Sequence, residues 1–228
     1  MSTVSEHTFL ATNSSGEVSA ILSRPANATA MYVFGHGAGA GMRHKFMEAA
    51  SERLAEMSVA TFRYQFPYME AGRKGPNPAP ILVKTVRSAV AEAARLAPDL
   101  PLIAGGKSMG GRMTSTAAST ERLPGVCALG FFCFPLHAPG RDSSERGAHL
   151  AEVGLPMLFL QGTRDKLANL ELLRPLLDEV RPRPTLHLVD DADHGFHVPK
   201  RSGRTDDDVL DELCERFATW AASVAARP

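Results

Sequence analysis

Short β-rich runs alternate with longer amphipathic stretches along nearly the whole chain, which predicts an α/β protein: a mostly parallel central sheet covered by helices on both faces. Two further observations support that class. At 228 residues, with 44% apolar and 22% charged residues, the chain can build a sizeable core and lacks the charge-rich profile of a disordered polymer. Loops rich in glycine and polar residues follow several apolar runs, where open α/β sheets carry their ligands. One domain over residues 1–228 is expected.

The elements follow in order. Runs at 7–11 and 18–24 flank Asn13-Ser14-Ser15-Gly16, turn-forming residues that predict an antiparallel hairpin at one sheet edge. A strand at 31–35 runs into the loop His36-Gly37-Ala38-Gly39-Ala40-Gly41. Phe46, Met47, Ala50, Leu54 and Met57 recur at helical spacing and mark one buried face. A strand at 59–64 precedes a Pro/Gly-rich connection, 67–80, long enough to need a role as lid or substrate-side wall. A helix at 81–97 stops before Pro98; a strand at 102–104 then leads through glycines into a helix opening near Met109. A buried strand is expected at 126–132, an irregular segment at 135–150, and an apolar strand at 156–160. Leu170, Leu172, Leu173, Leu176 and Leu177 predict a helix that Pro175 breaks or kinks. The last strand is read at 185–189. Thr205 caps a final helix whose first turn carries Asp206, Asp207 and Asp208, and whose buried face uses Val209, Leu210, Leu213, Phe217 and Trp220.

Charge narrows the function classes. Lys plus Arg equals Asp plus Glu at 25 each, so no basic excess is available to hold nucleic acid or an anionic membrane. Neither is expected as a partner. Cys127, Cys133 and Cys214 cannot all pair within the chain and lack CxxC spacing, so they read as small hydrophobes in a reducing compartment. The opening residues have no signal-peptide pattern, and no stretch approaches the roughly 18 apolar residues of a membrane span. A cytoplasmic location is expected.

The stretch LIAGGKSMGGRM, 102–113, admits two chemistries. A phosphate-cradling loop needs a first glycine at 101, where Pro101 stands, and the apolar strand occupies the place of the wrapping loop. Gly106-Lys107-Ser108-Met109-Gly110 instead fits G-x-S-x-G, in which a strand turns abruptly into a helix and presents a serine at the tip. The bland alternative is a glycine-rich turn with a surface serine. A serine hydroxyl needs a base, and the base an acid to hold its tautomer. Asp165 follows one strand and His194 the last, so both should emerge at the sheet edge where Ser108 emerges. His197 is the alternative base; Asp190, Asp191 and Asp193 are competing acids that share the histidine's own loop; His187 lies within a strand. Oxyanion donors are read as the amides of Met109 and Ala38. The loop holding Ala38 also approaches the G-x-G-x-x-G/A dinucleotide pattern, but Phe62-Arg63-Tyr64-Gln65 lacks the ribose-binding acid.

HGAGAG at 36–41, GGKSMGGR at 105–112, QGTRD at 161–165 and DADHGFHVP at 191–199 together resemble the α/β-hydrolase-fold group of testis-expressed protein 30-like and dienelactone-hydrolase-like proteins. The resemblance runs from about residue 20 to the last helix. It implies an α/β-hydrolase fold without a large cap domain, with Ser108 as nucleophile, Asp165 as acid and His194 as base. Dienelactone hydrolases proper use a cysteine, so Ser108 departs from that branch. The expected activity is a serine hydrolase cleaving carboxylic esters, thioesters or related acyl compounds through an acyl-enzyme, with a small-molecule acyl substrate and neither metal nor organic cofactor. Regulatory relatives within the group motivate the alternative, a catalytically silent binding or scaffold protein. Segments 67–80 and 135–150 are expected to shape the pocket and to favour short acyl groups. Arg43, Lys107, Arg112 and Arg141 are candidate contacts for an anionic substrate, against ordinary exposed or salt-bridged roles.

Overall fold

The amino-terminal hairpin sets one edge of an eight-stranded sheet in the computed structural model, which describes residues 2–226. The expected domain over 1–228 therefore includes positions outside the described residues. Strands β1 (Ser2–Thr12) and β2 (Gly16–Pro25) pair antiparallel, and Gly16 takes φ +77° at the turn. β1 begins earlier than its apolar pattern. Residues 2–6 are exposed and polar-rich, so they show no alternation, yet the ladder to β2 continues to Ser2 opposite Pro25.

The chain then winds through β3 (Ala30–Gly35), α1 (Lys45–Glu56), β4 (Val59–Tyr64), α2 (Pro67–Glu70), α3 (Ala79–Leu96), β5 (Leu102–Lys107) and α4 (Met109–Thr120). It continues through β6 (Val126–Phe132), a 3₁₀ segment (Glu145–Glu152), β7 (Met157–Gly162), α5 (Leu170–Glu179), β8 (Thr185–Val189) and α6 (Asp206–Ala225). The sheet order is β1-β2-β4-β3-β5-β6-β7-β8, antiparallel at β1/β2 and β2/β4 and parallel from β4 through β3 to β8. This is the α/β-hydrolase architecture. The connection between β6 and β7 holds the 3₁₀ segment and no cap domain.

Strand alternation divides the core in two. In β3, Met31 and Val33 face one layer, while Ala30, Tyr32 and Phe34 face the other. α3, α4 and α5 cover the first through Leu82, Val86, Met113 and Leu173; α1 and α6 cover the second through Met47, Leu54, Leu213 and Phe217. Phe217 lies 4.4 Å from the Tyr32 ring centroid and 5.7 Å from that of Phe132, a burial that stabilises by about 2–3 kcal/mol. Trp220, expected on the same buried face, is only half-buried.

Three local expectations are corrected. The 67–80 connection is not irregular throughout: Pro67 opens the short α2, and α3 starts at Ala79 with Pro80 in its first turn, where an amide donor would have no partner anyway. β5 extends through Gly105 and Gly106 to Lys107 because β3 and β6 supply ladder partners on both sides, which overrides the low strand preference of glycine. α5 runs unbroken past Pro175. That residue sits on the solvent face, so the carbonyl it leaves without a donor, at exposed Glu171, can be hydrated. At α6 the expected cap is present: Thr205 accepts from the Asp208 amide, and the Asp208 carboxylate accepts from the Thr205 amide.

Candidate active site

Ser108 stands at the abrupt junction of β5 and α4 with φ +50° and ψ −115°, a left-sided backbone conformation that costs a non-glycine residue about 1–3 kcal/mol. Its neighbours make that turn possible. A Cβ placed on Gly106 or Gly110 would collide with the Gly35 carbonyl oxygen, so strand and helix approach β3 only as glycines. The Ser108 amide donates to the Phe132 carbonyl at 2.9 Å, which fixes the turn to the next strand.

The side chains of Ser108, His194 and Asp165 converge from three separate loops. His194 Nε2 lies 2.8 Å from Ser108 Oγ, and His194 Nδ1 lies 2.8 Å from Asp165 Oδ2. Because a carboxylate only accepts, Nδ1 carries the proton and Nε2 is free to accept from the serine hydroxyl. The Asp165 side chain is fully buried, and its other bonds come from donors: Gln161 Nε2 at 2.6 Å to Oδ2 and the Leu167 amide at 2.8 Å to Oδ1. Gln161 is itself fixed, accepting from the Phe134 amide at 3.0 Å. Reading the chain for titratable groups passed over Gln161; a buried amide at a strand end, four residues before the acid, was the available signal.

The His194 loop is braced from two sides. Asp193 Oδ1 accepts from the amides of Gly195 and His197 at 2.7 and 3.0 Å. Lys107 Nζ donates to the His194 carbonyl at 2.9 Å and sits 4.5 and 4.7 Å from the ring centroids of Phe46 and Phe196. Burial pulls the Lys107 ammonium below its ordinary range. Three of the alternative groups, His197, His187 and Asp191, have other partners. Exposed His197 pairs with Asp206 at 2.9 Å, and that hydrogen bond raises its pKa. His187 pairs with Glu212 at 2.6 Å, and Asp191 lies 3.5 Å from Arg201. Cys133 lies beside Asp165 and His194, their ligand-type atoms all within 4.8 Å of one another. Burial pushes that thiol up to about 12, so it remains protonated.

Ala38 and Met109 line a cleft of about 300 Å³ over Ser108. Among the described residues, neither amide donates to a protein acceptor. Pro76 and Asn77 from the first long connection and Pro135 and Arg146 from the second complete its walls. The loop carrying Ala38 is held by His36, which reading the chain also passed over. Its Nδ1–H donates to the Gly37 carbonyl at 2.7 Å, and its Nε2 accepts from the Phe66 amide at 3.1 Å.

Burial pushes the His36 pKa down to about 4 from an ordinary 6.5. Above pH ~6.5 both folded and unfolded chains carry this residue neutral, and its stabilising contribution is fully present. As pH falls toward 4 the unfolded chain gains a proton that the folded chain refuses, removing about 3 kcal/mol by pH 4. Urea unfolding at pH 7.5, 6.0 and 5.0 should therefore show a steeper acid loss in the wild type than in His36→Gln. Parallel slopes would refute this assignment.

Of the cationic candidates, Arg43 pairs with Glu6 at 2.6 Å, Lys107 is spent on the His194 loop, Arg141 is exposed, and Arg112 lines the cleft. No described helix is long and apolar enough to cross a membrane.

Residues 28–222 match the family model described as an alpha/beta hydrolase domain. Solved structures share the fold. An esterase domain from Rhodothermus marinus aligns with a TM-score of 0.74 at 17% identity, over 98% of this chain and 100% of that one. A dienelactone hydrolase from Anabaena variabilis gives 0.72 at 18%, over 94% and 97%. An a/b serine hydrolase without lid from Xanthomonas campestris gives 0.73 at 18%, over 99% and 97%.

Proposed function

The chain belongs to the alpha/beta hydrolase domain family, and from that premise we propose that it is a serine hydrolase cleaving carboxylic esters, thioesters or related acyl compounds through an acyl-enzyme. The observation that carries this reading is the unbroken hydrogen-bonded line from Ser108 Oγ through the His194 ring to the buried Asp165 carboxylate, at 2.8 Å for each bond.

In the first half-reaction Ser108 Oγ attacks the acyl carbon while His194 Nε2 takes its proton. Asp165 holds the ring in the accepting tautomer and favours the imidazolium that forms. The amides of Met109 and Ala38 donate to the oxyanion, a contribution of roughly 3 kcal/mol per donor in comparable sites. As the tetrahedral intermediate collapses, the bond to the leaving oxygen or sulfur breaks and His194 returns the proton to it. Water, deprotonated by the same imidazole, then releases the acid and restores Ser108. The strained junction keeps the hydroxyl clear of the helix, and the modest cleft favours short acyl chains.

A fluorophosphonate probe tests this directly. Wild type should be labelled covalently and Ser108→Ala should not. Absence of labelling in the wild type, together with no turnover across p-nitrophenyl and thioester substrates, would favour a binding or scaffold role for the fold.

A further inference from the structure

Two guanidinium groups face the same small cleft without a counter-charge. Arg112 lies on α4, four residues and about one turn beyond Ser108, and is half-buried; Arg146 reaches the cleft from the 3₁₀ segment. Neither side chain forms a salt bridge or donates a hydrogen bond to protein among the described residues, and both line the cleft beside Ser108. The charge that bears on Arg112 is that of Arg146, and with burial as the larger cause it pulls the Arg112 guanidinium below its ordinary range. Burial, and then the charge of Arg112, lower the pKa of His149, beside them on the 3₁₀ segment. Its Nε2 is tied to Ser115 Oγ at 2.8 Å, and an imidazole supplies no negative charge in either protonation state. Asn77 brings a further polar group to the cleft wall, and its buried Oδ1 has no partner.

Two like charges held together, one of them half-desolvated, form an unfavourable arrangement that an anion would relieve. A planar guanidinium is also the side chain that best matches a carboxylate in bidentate geometry. We propose that the acyl substrate carries a carboxylate remote from the scissile bond, received by Arg112 and Arg146, so that the protein hydrolyses monoesters or monothioesters of dicarboxylic acids in preference to neutral acyl compounds. The proposal rests on the serine-hydrolase reading. It narrows the substrate class without altering the chemistry at Ser108. The uncharged lining from Met113, Leu82 and Leu167 would then pack the methylene chain between the two ends.

The test compares p-nitrophenyl hydrogen adipate with p-nitrophenyl 6-methylheptanoate, in which an isopropyl group replaces the carboxylate at equal length. Wild type should favour the anionic ester by about tenfold or more in kcat/KM, as expected for a charge-assisted bidentate contact. Within Arg112→Met, and more strongly in Arg112→Met/Arg146→Met, the ratio of the two esters should fall at least severalfold. Raising salt should erode the wild-type preference. Should the double variant fail to fold, exposed Arg146→Gln supplies the same ratio. Ser108-dependent turnover with no preference for the adipate, or a preference unchanged by the substitutions, overturns the proposal while leaving the hydrolase reading intact. If neither ester is turned over, the hydrolase reading is decided separately, by the fluorophosphonate probe. Calorimetric titration of adipate into the Ser108→Ala protein then decides the anion site: Arg112-dependent binding supports it, and no binding overturns it.

Discussion

Ser108→Gly is expected to abolish turnover while making the protein more stable than Ser108→Ala. Both substitutions remove the hydroxyl that lies 2.8 Å from His194 Nε2, so both should lower kcat by on the order of 10⁴- to 10⁶-fold on any ester that the wild type cleaves. They differ in the backbone. At φ +50° and ψ −115° alanine keeps the Cβ that makes this conformation costly, whereas glycine adopts it freely. Strain of about 1–3 kcal/mol is relieved, against about 0.5–1 kcal/mol of extra chain entropy lost by glycine on folding. The glycine variant should therefore unfold about 1 kcal/mol later than the alanine variant, a difference of about 2–4 °C in Tm for a chain of this size. Initial rates and thermal denaturation of the pair measure both effects. A glycine variant less stable than the alanine variant would contradict stored strain at the serine, whatever the activities.

Asp165→Asn should cost about 10⁴-fold in kcat, with the fold retained. Three donors surround this buried carboxylate: the His194 Nδ1–H at 2.8 Å, Gln161 Nε2 at 2.6 Å and the Leu167 amide at 2.8 Å. An asparagine must turn its NH₂ group toward at least one of them. Facing His194, it forces the proton onto Nε2 and removes the acceptor that Ser108 needs. Facing Leu167, it leaves two buried donors opposed and forfeits the charge that steadies the imidazolium. The unsatisfied donor adds a stability loss of about 1–3 kcal/mol. Steady-state kinetics together with a urea midpoint would test both parts, and a loss of less than tenfold in kcat would assign Asp165 a structural role only.

Much of the fold was legible along the chain because α/β layers impose local periodicities. Met31 to Gly35 and Val126 to Phe132 are continuous apolar runs because both faces of a central strand are covered, and such runs need no partner to be recognised. The polar first half of β1 and the glycines ending β5 were not legible, since their strand character comes from ladders supplied by neighbours. Pro175 misled for the opposite reason: a rule about the missing donor says nothing about whether the abandoned carbonyl faces water. At the candidate site, glycine spacing around Ser108 was readable because close backbone approach has one chemical solution. Gln161 and His36 were not, because an amide and a neutral imidazole acquire their roles only from the groups that surround them.

By itself the chain determined which residues sit at strand ends: Ser108, Asp165 and His194 each follow an apolar run, and the order of those runs restricts them to one rim of a parallel sheet. Only the tertiary structure decided the partnerships. Whether His194 or His197 turns toward a serine 86 residues away depends on the fold of one short loop, braced by Asp193 and Lys107. Whether an arginine is paired or left facing a cleft depends on where every carboxylate ends up. Periodicity is a property of neighbours along the chain, whereas hydrogen bonds and charge neutralisation act over a few ångströms between segments that the sheet order alone brings together.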